Sequence, residues 1–199
     1  VHVVNDRVHF GPGLTSTYFI DPDSGERRSS RRGDPGMTAR VADALPNIDF
    51  LMSFCIASDV DQAVSDRHQM RAMLANSTKP ILVVTTEFGG CVDAIRMAEV
   101  VAGGEEALRR NPICALYINV THPLRHNAEA LQKLLFMAEK GLPTTYTPVV
   151  LRSVSGPVTA AGAIALANAG ELAGLVISQI KREGAPIILI SGLAAHTPA

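Results

Sequence analysis

Pro143-Thr144-Thr145-Tyr146-Thr147-Pro148-Val149-Val150 reads as an extended run, and Ser155-Gly156-Pro157-Val158-Thr159 leads from it into an alanine-rich helical stretch over residues 159–182. Gly184-Ala185-Pro186 then breaks the helix, and a second apolar run follows over residues 185–191. Strand, helix and strand in this order, with both strands largely apolar, describe a crossover unit between parallel strands. Working outward, the same alternation recurs upstream. Extended runs are expected over residues 50–56, 80–86 and 113–120, and helices over residues 61–75, 92–110 and 127–140. Breakers stand where those helices should end, at Lys79-Pro80, Asn111-Pro112 and Gly141-Leu142-Pro143. Apolar strands that are each followed by a helix imply a parallel sheet covered by helices.

A doubly wound sheet usually carries a glycine-rich phosphate turn after its first strand, and Phe54-Cys55-Ile56-Ala57-Ser58-Asp59 has no glycine. The expectation is therefore an α/β fold of the partial (β/α)8 TIM-barrel type. About five of its eight units are present, because a complete barrel needs roughly 250 residues. Before the repeat, β-rich runs over residues 2–10 and 17–20 are separated by Gly11-Pro12-Gly13 and followed by the turn Asp21-Pro22-Asp23-Ser24-Gly25. Residues 1–36 thus read as a β-hairpin appendage and linker, and residues 37–199 as the first portion of a barrel, truncated before closure. Asp34-Pro35-Gly36 opens a helix whose apolar stripe is Val41, Ala42 and Leu45.

Of the 199 residues, 47% are apolar and 19% charged, which is enough apolar surface for a sizeable core. Eighteen Lys and Arg against 19 Asp and Glu give no field that would favour nucleic acid or an anionic membrane. Arg27, Arg28, Arg31 and Arg32 form the one basic run, read as a solvated loop beside Asp34 in preference to an anion site. No uninterrupted apolar run approaches the roughly 18 residues of a membrane span, and no secretory leader opens the chain, so a cytoplasmic protein is expected. The three cysteines, Cys55, Cys91 and Cys114, lack the spacing of a disulfide framework or a zinc site and are expected to be buried thiols.

In a barrel the working residues lie at the C-terminal strand ends. That rule selects Ser53, Cys55, Ser58 and Asp59, then Thr85, Thr86, Glu87 and Phe88, then Tyr117, Asn119, Thr121 and His122, and finally Tyr146, Thr147 and Arg152. Glu87 reads either as a carboxylate for a cationic ligand or as a solvated loop acid. Period-two alternation puts Tyr117 and Asn119 on one side of their strand, opposite Leu116, Ile118 and Val120. Tyr117, Tyr146 and Phe88 offer ring faces to a quaternary ammonium, each contact being worth about 0.5–2 kcal/mol, or serve as packing. His122, fixed by Pro123, is either a proton carrier or substrate donor or a hydrogen-bonded loop residue. Arg152 has the geometry to hold a carboxylate through two parallel hydrogen bonds. Glu87, Tyr117, Asn119, His122 and Arg152 are expected around one concavity. Thr159 reads as an N-cap. Asn168 and Glu171, three apart on one helix face, are expected to tie that helix to a neighbour.

The run Gly156-Pro157-Val158-Thr159-Ala160-Ala161-Gly162, continuing through Asn168-Ala169-Gly170-Glu171-Leu172-Ala173-Gly174 to Gln179 and Gly184-Ala185-Pro186, resembles the best-marked segment of the trimethylamine methyltransferase family. Asp21 with Gly25-Glu26-Arg27-Arg28 and Asp34, then Ala44-Leu45-Pro46-Asn47-Ile48-Asp49, Thr78-Lys79-Pro80, Ala102-Gly103-Gly104 with Leu108, Arg109 and Pro112, and His122-Pro123-Leu124 fall in the same order. The family often has an alanine where Gly170 stands and a small polar residue where His122 stands. The resemblance implies a complete barrel that passes a methyl group from a methylated amine, trimethylamine or a quaternary amine such as glycine betaine, to the Co(I) corrinoid (cobalamin) of a separate corrinoid-binding protein. No metal is expected on this chain itself, and a homo-oligomer is left open. Some relatives carry pyrrolysine at a position that would lie beyond Ala199. Catalysis would then rest on positioning and electrostatics. The competing readings are a barrel enzyme of another class, an aldolase or isomerase, and a non-catalytic binder of methylated amines. The first wants a lysine at a strand end, whereas Lys79 precedes its strand and Lys181 ends a helix.

Overall fold

The computed structural model describes residues 8–13, 16–190 and 192–195, and its contacts divide the chain into two compact units, residues 1–115 and 116–199. In the first unit, β1 (Tyr18–Ile20) and β2 (Arg27–Ser29) form an antiparallel hairpin. Asp21 builds its turn: one carboxylate oxygen accepts the N–H groups of Asp23 and Ser24, and the Asp21 carbonyl accepts Gly25 N–H at 2.8 Å. Residues 2–7 of the expected first strand lie outside the described residues. The strand that pairs with Tyr18–Ile20 is the arginine-bearing one, because its cations have partners. Arg27 lies over the Tyr18 ring at 3.8 Å, and Arg28 grips both oxygens of Asp34 at 2.8 and 2.9 Å and Asp21 at 3.1 Å. Arg28 is therefore an ion-paired strut, where the sequence suggested a solvated run.

Asp34 and Pro35 start α1 (Asp34–Ala44), with the proline in the first turn, where its missing N–H costs nothing. Next come β3 (Leu51–Met52), α2 (Ser65–Asn76), β4 (Ile81–Val84), α3 (Phe88–Ala102) and α4 (Glu105–Arg110). Strands β3 and β4 are parallel, and Ile81 N–H donates to Ile113 O. Strand β3 is shorter than the expected 50–56 because the chain leaves β4 after Met52: Phe54 O accepts from Ser16 N–H and Ile56 N–H donates to Ser16 O. The single helix expected over 92–110 is split by Gly103 and Gly104, whose φ values of 88° and 124° suit glycine; Gly104 N–H closes α3 on Glu99 O at 2.7 Å. Met70, Ile95, Ala98 and Leu108 are fully buried in this unit. Each large side chain among them contributes about 1.5–3 kcal/mol of transfer free energy.

The second unit contains most of β5 (Cys114–Val120), then α5 (Ala128–Lys140), β6 (Thr144–Arg152), α6 (Ala160–Lys181), β7 (Ile187–Leu189) and β8 (Gly192–Ala195). All its strand pairs are parallel: β5 lies beside β6, β7 beside the first part of β6 and β8 beside the last part. Of the expected run over 185–191, Ile187–Leu189 form β7, and β8 lies beyond it. Thr159 caps α6 by accepting Gly162 N–H at 3.2 Å. Glycines let α6 lie against β6 and the loop after β5. A Cβ on Gly174 would stand 2.3 Å from two ring carbons of Tyr146, and one on Gly170 would stand 2.7 Å from the Pro123 carbonyl oxygen. With 22 residues and a mean hydropathy of 1.6 over its most apolar window, α6 is by length and composition long enough to cross a membrane. Its glycine and alanine face packs on β6, while Ile164, Leu172, Val176 and Ile180 are exposed.

The α/β class, the parallel strands with intervening helices and the antiparallel N-terminal hairpin are present. The barrel is a finer statement than these strands make.

Candidate functional site

Helices cover one face of β5 and β6. Leu116, Ile118 and Val120 are buried there, with Tyr146 against Gly174, Pro148 against Gly170, and Val150 beside Ala163 and Ala167. Alternation sends Tyr117, Asn119, Thr145 and Thr147 to the opposite face. Register sets Tyr117 beside Thr145 and Asn119 beside Thr147. The burial of β5 follows the same alternation: Tyr117 is half-buried and Asn119 exposed, whereas their even-numbered neighbours in the strand are buried. The face expected for Tyr117 and Asn119 is where the structure puts them, and it gains two threonines. Thr145 Oγ1 donates to Leu116 O across a long 3.4 Å. Thr147 Oγ1 is buried and has no hydrogen-bond partner. Thr145 was not singled out from the sequence; an alternating Thr-Tyr-Thr in an apolar strand was the available signal.

Tyr146 stands on the other face. Its ring is buried under α6, its hydroxyl lies 2.6 Å from His126 Nδ1, and burial pushes its pKa up to about 12. The phenol therefore keeps its proton and donates it. His126 Nε2 reaches Pro123 O at 3.0 Å, so the ring carries its proton on Nε2 and accepts on Nδ1. Tyr146 is thus a prop for the loop after β5, and it offers no ring face beside Tyr117. The physical reason is parity: residue 146 belongs to the even, helix-covered set of β6.

His122 is held by backbone on both sides. Its Nε2 donates to Ser155 O at 3.0 Å and its Nδ1 accepts Leu124 N–H at 3.2 Å. Both ring nitrogens are engaged in shaping the loop. Arg152, also of even parity, donates from Nε to Val158 O at 3.0 Å. It leads into a tight turn in which Ser153 has φ 67° and Leu151 O accepts N–H bonds from Val154, Ser155 and Gly156.

Glu87 belongs to the first unit. It occupies the N-cap position of α3, three residues past the end of β4, and its side chain is 57% exposed. Arg67 lies 3.8 Å away and also pairs with Asp93 at 2.7 Å and Asp66 at 3.2 Å. The buried Asp66 accepts Thr86 N–H and Thr86 Oγ1–H at 3.2 Å each and occupies the space over Gly90. Asp66 and Arg67 thus fix the loop that carries Glu87, a role no spacing in the sequence announces. A separate apolar cavity of about 270 Å³ in this unit is lined by Phe19, Met37, Val41, Leu45, Met52 and Met73 among others. Its lining has no charged side chain. Among the described residues, no three His, Cys, Asp or Glu side chains converge as metal donors.

These features define an α/β protein whose parallel strands carry helices on one face and an ordered set of hydroxyl, amide and phenol groups on the other. The chain belongs to the trimethylamine methyltransferase family, which it matches over residues 1–195. It is 26% identical over 181 residues to the trimethylamine methyltransferase MttB of Desulfitobacterium hafniense, covering 91% of this chain and 36% of that protein. It is also 26% identical over 190 residues to a glycine betaine methyltransferase of the same species, covering 94% and 39%. Against the trimethylamine methyltransferase MttB of Methanosarcina barkeri the identity is 29% over 152 residues, covering 75% and 30%. The chain spans between 30% and 39% of the length of these relatives.

Proposed function

We propose that the full-length protein moves a methyl group from a methylated amine, a quaternary amine such as glycine betaine or else trimethylamine, to the reduced corrinoid of a partner protein. Family membership over residues 1–195 is the observation that carries this reading. The names of the relatives support the amine class. In the same reading the protein is cytoplasmic. Its parallel strands belong to the wall of a (β/α)8 barrel, with residues 1–36 as an appendage and residues 37–199 as the first part of the barrel.

When docked, the partner's corrinoid supplies the nucleophile for one N-methyl carbon, and the amine leaves with the C–N electron pair. The groups of this chain suit the remaining work. Tyr117 and Asn119 are uncharged, sit on the strand face away from the helices and orient a substrate through ring contact and hydrogen bonds. Tyr146 with His126, and His122 with Ser155, hold the loop after β5 that borders this face. Arg152, its Nε held by Val158 O, stays among the residues proposed to line the substrate site at the strand ends. Glu87, in its own unit, is the carboxylate proposed for an ammonium group.

The test supplies full-length protein with a reduced corrinoid protein and a panel of methylated amines, and follows the visible spectrum of the corrinoid. Methylation by at least one amine is expected. Glu87→Gln keeps the shape and removes the charge, so its KM for the amine should rise by about tenfold at low salt. An unchanged KM makes Glu87 a loop acid. Absence of transfer from every amine, with a partner shown to be reduced and competent with another methyl donor system, overturns the proposal.

A further inference from the structure

We infer that Thr147 is a substrate-binding residue, donating its hydroxyl to a carboxylate carried by the methylated amine, with Asn119 beside it on the same face. This rests on the methylated-amine reading and deepens it, because trimethylammonium has no acceptor for such a donor. Thr147 is 2% exposed, and its Oγ1 has no hydrogen-bond partner. Buried hydroxyls in native structures are nearly always satisfied, so an exception asks for a cause. The neighbouring threonine on this face shows the contrast: Thr145 Oγ1 reaches the Leu116 carbonyl, whereas Thr147 finds no such backbone group.

Packing does not require the hydroxyl. Valine has the same β-branched shape and fits the strand equally well, without a polar atom to desolvate. A threonine with an unpartnered hydroxyl at this buried position therefore points to a group outside this chain. Asn119 lies directly across the strand pair and is exposed, which marks where the face opens. A ligand entering there swings the Asn119 amide aside and meets both an amide N–H and the Thr147 hydroxyl. Two uncharged donors one strand apart suit the two oxygens of a carboxylate.

The experiment uses full-length protein and two probes, glycine betaine and tetramethylammonium, which share a quaternary nitrogen and differ in the carboxylate. Calorimetric titration gives the ratio of their affinities for the wild type, Thr147→Val and Thr147→Ser, and urea unfolding gives the stability of each. Thr147→Val should lower the betaine-to-tetramethylammonium affinity ratio by about tenfold or more, Thr147→Ser should restore most of it, and Thr147→Val should be at least as stable as the wild type. An unchanged ratio overturns the assignment of Thr147, as does a Thr147→Val protein that is destabilised with the ratio intact. Tetramethylammonium binding without betaine binding in the wild type overturns the carboxylate while leaving the amine reading standing. If neither probe binds, the Thr147 assignment falls, and the corrinoid methylation assay decides the amine reading separately.

Discussion

Gly174→Ala tests the packing that holds β6 under α6. The new Cβ would meet Tyr146 Cδ1 and Cε1 at 2.3 Å, against an ordinary carbon–carbon contact of about 3.5–4.0 Å. The ring has to retreat by more than about 1 Å. It is fully buried, and its hydroxyl is committed to His126 at 2.6 Å. Overpacking of this kind costs about 1–3 kcal/mol, and leaving the buried hydroxyl unmatched costs about 1–3 kcal/mol more. Alanine in place of glycine within a helix returns about 1 kcal/mol. The balance is a destabilisation of roughly 1–5 kcal/mol. Urea unfolding followed by far-ultraviolet circular dichroism measures it as a lower midpoint at constant slope. In a Tyr146→Leu background the penalty should shrink, because the two clashing ring carbons are gone. A Gly174→Ala protein as stable as the wild type, or more stable by the helix-propensity gain alone, would refute this packing.

Burial pushes the Cys55 thiol up to about 11 and the Cys114 thiol up to about 12, so neither should be alkylated by iodoacetamide at pH 8 until the protein unfolds; rapid labelling of the native state contradicts this. Because their folded pKa values lie above the ordinary 9.0, the unfolded chain releases protons first, and stability should fall as pH rises from about 9 through the folded values. At the acid end, hydrogen bonds from Arg28 hold the Asp34 carboxyl below its usual range; its contribution is complete above the unfolded carboxylate pKa and is lost as pH falls through the depressed value. Arg28→Ala should therefore move the acid-unfolding midpoint to higher pH, and coincident acid limbs for the two proteins would exclude that role.

The alternation of apolar runs with helices made the parallel α/β organisation legible, because burial on both strand faces leaves a continuous apolar signature. Helix ends marked by Gly141 and by Thr159 were legible for the same local reasons, a left-handed cap and an N-cap hydroxyl. The hairpin's second strand was not, since Arg27 and Arg28 become strand residues only through Tyr18, Asp21 and Asp34, which are contacts made across the turn. The site divides in the same way. Parity within β5 placed Tyr117 and Asn119 without further information. For β6, nothing in Thr-Tyr-Thr says which parity faces the helices, and the answer comes from Gly174, which leaves room for one ring and so draws Tyr146 to that side. His122 and Arg152 lie at or past strand ends, where loop hydrogen bonds rather than periodicity set their directions.

Gly170 brings α6 close against Pro123 in the loop after β5. A methyl group at position 170 would stand 2.7 Å from the Pro123 carbonyl oxygen and 3.0 Å from its Cα, backbone atoms that cannot rotate away. The absence of that methyl lets the His122-Pro123-Leu124 segment lie on the helix, and the histidine in turn anchors the segment to Ser155. A single methyl group at position 170 thus decides how near the loop after β5 can stand to α6.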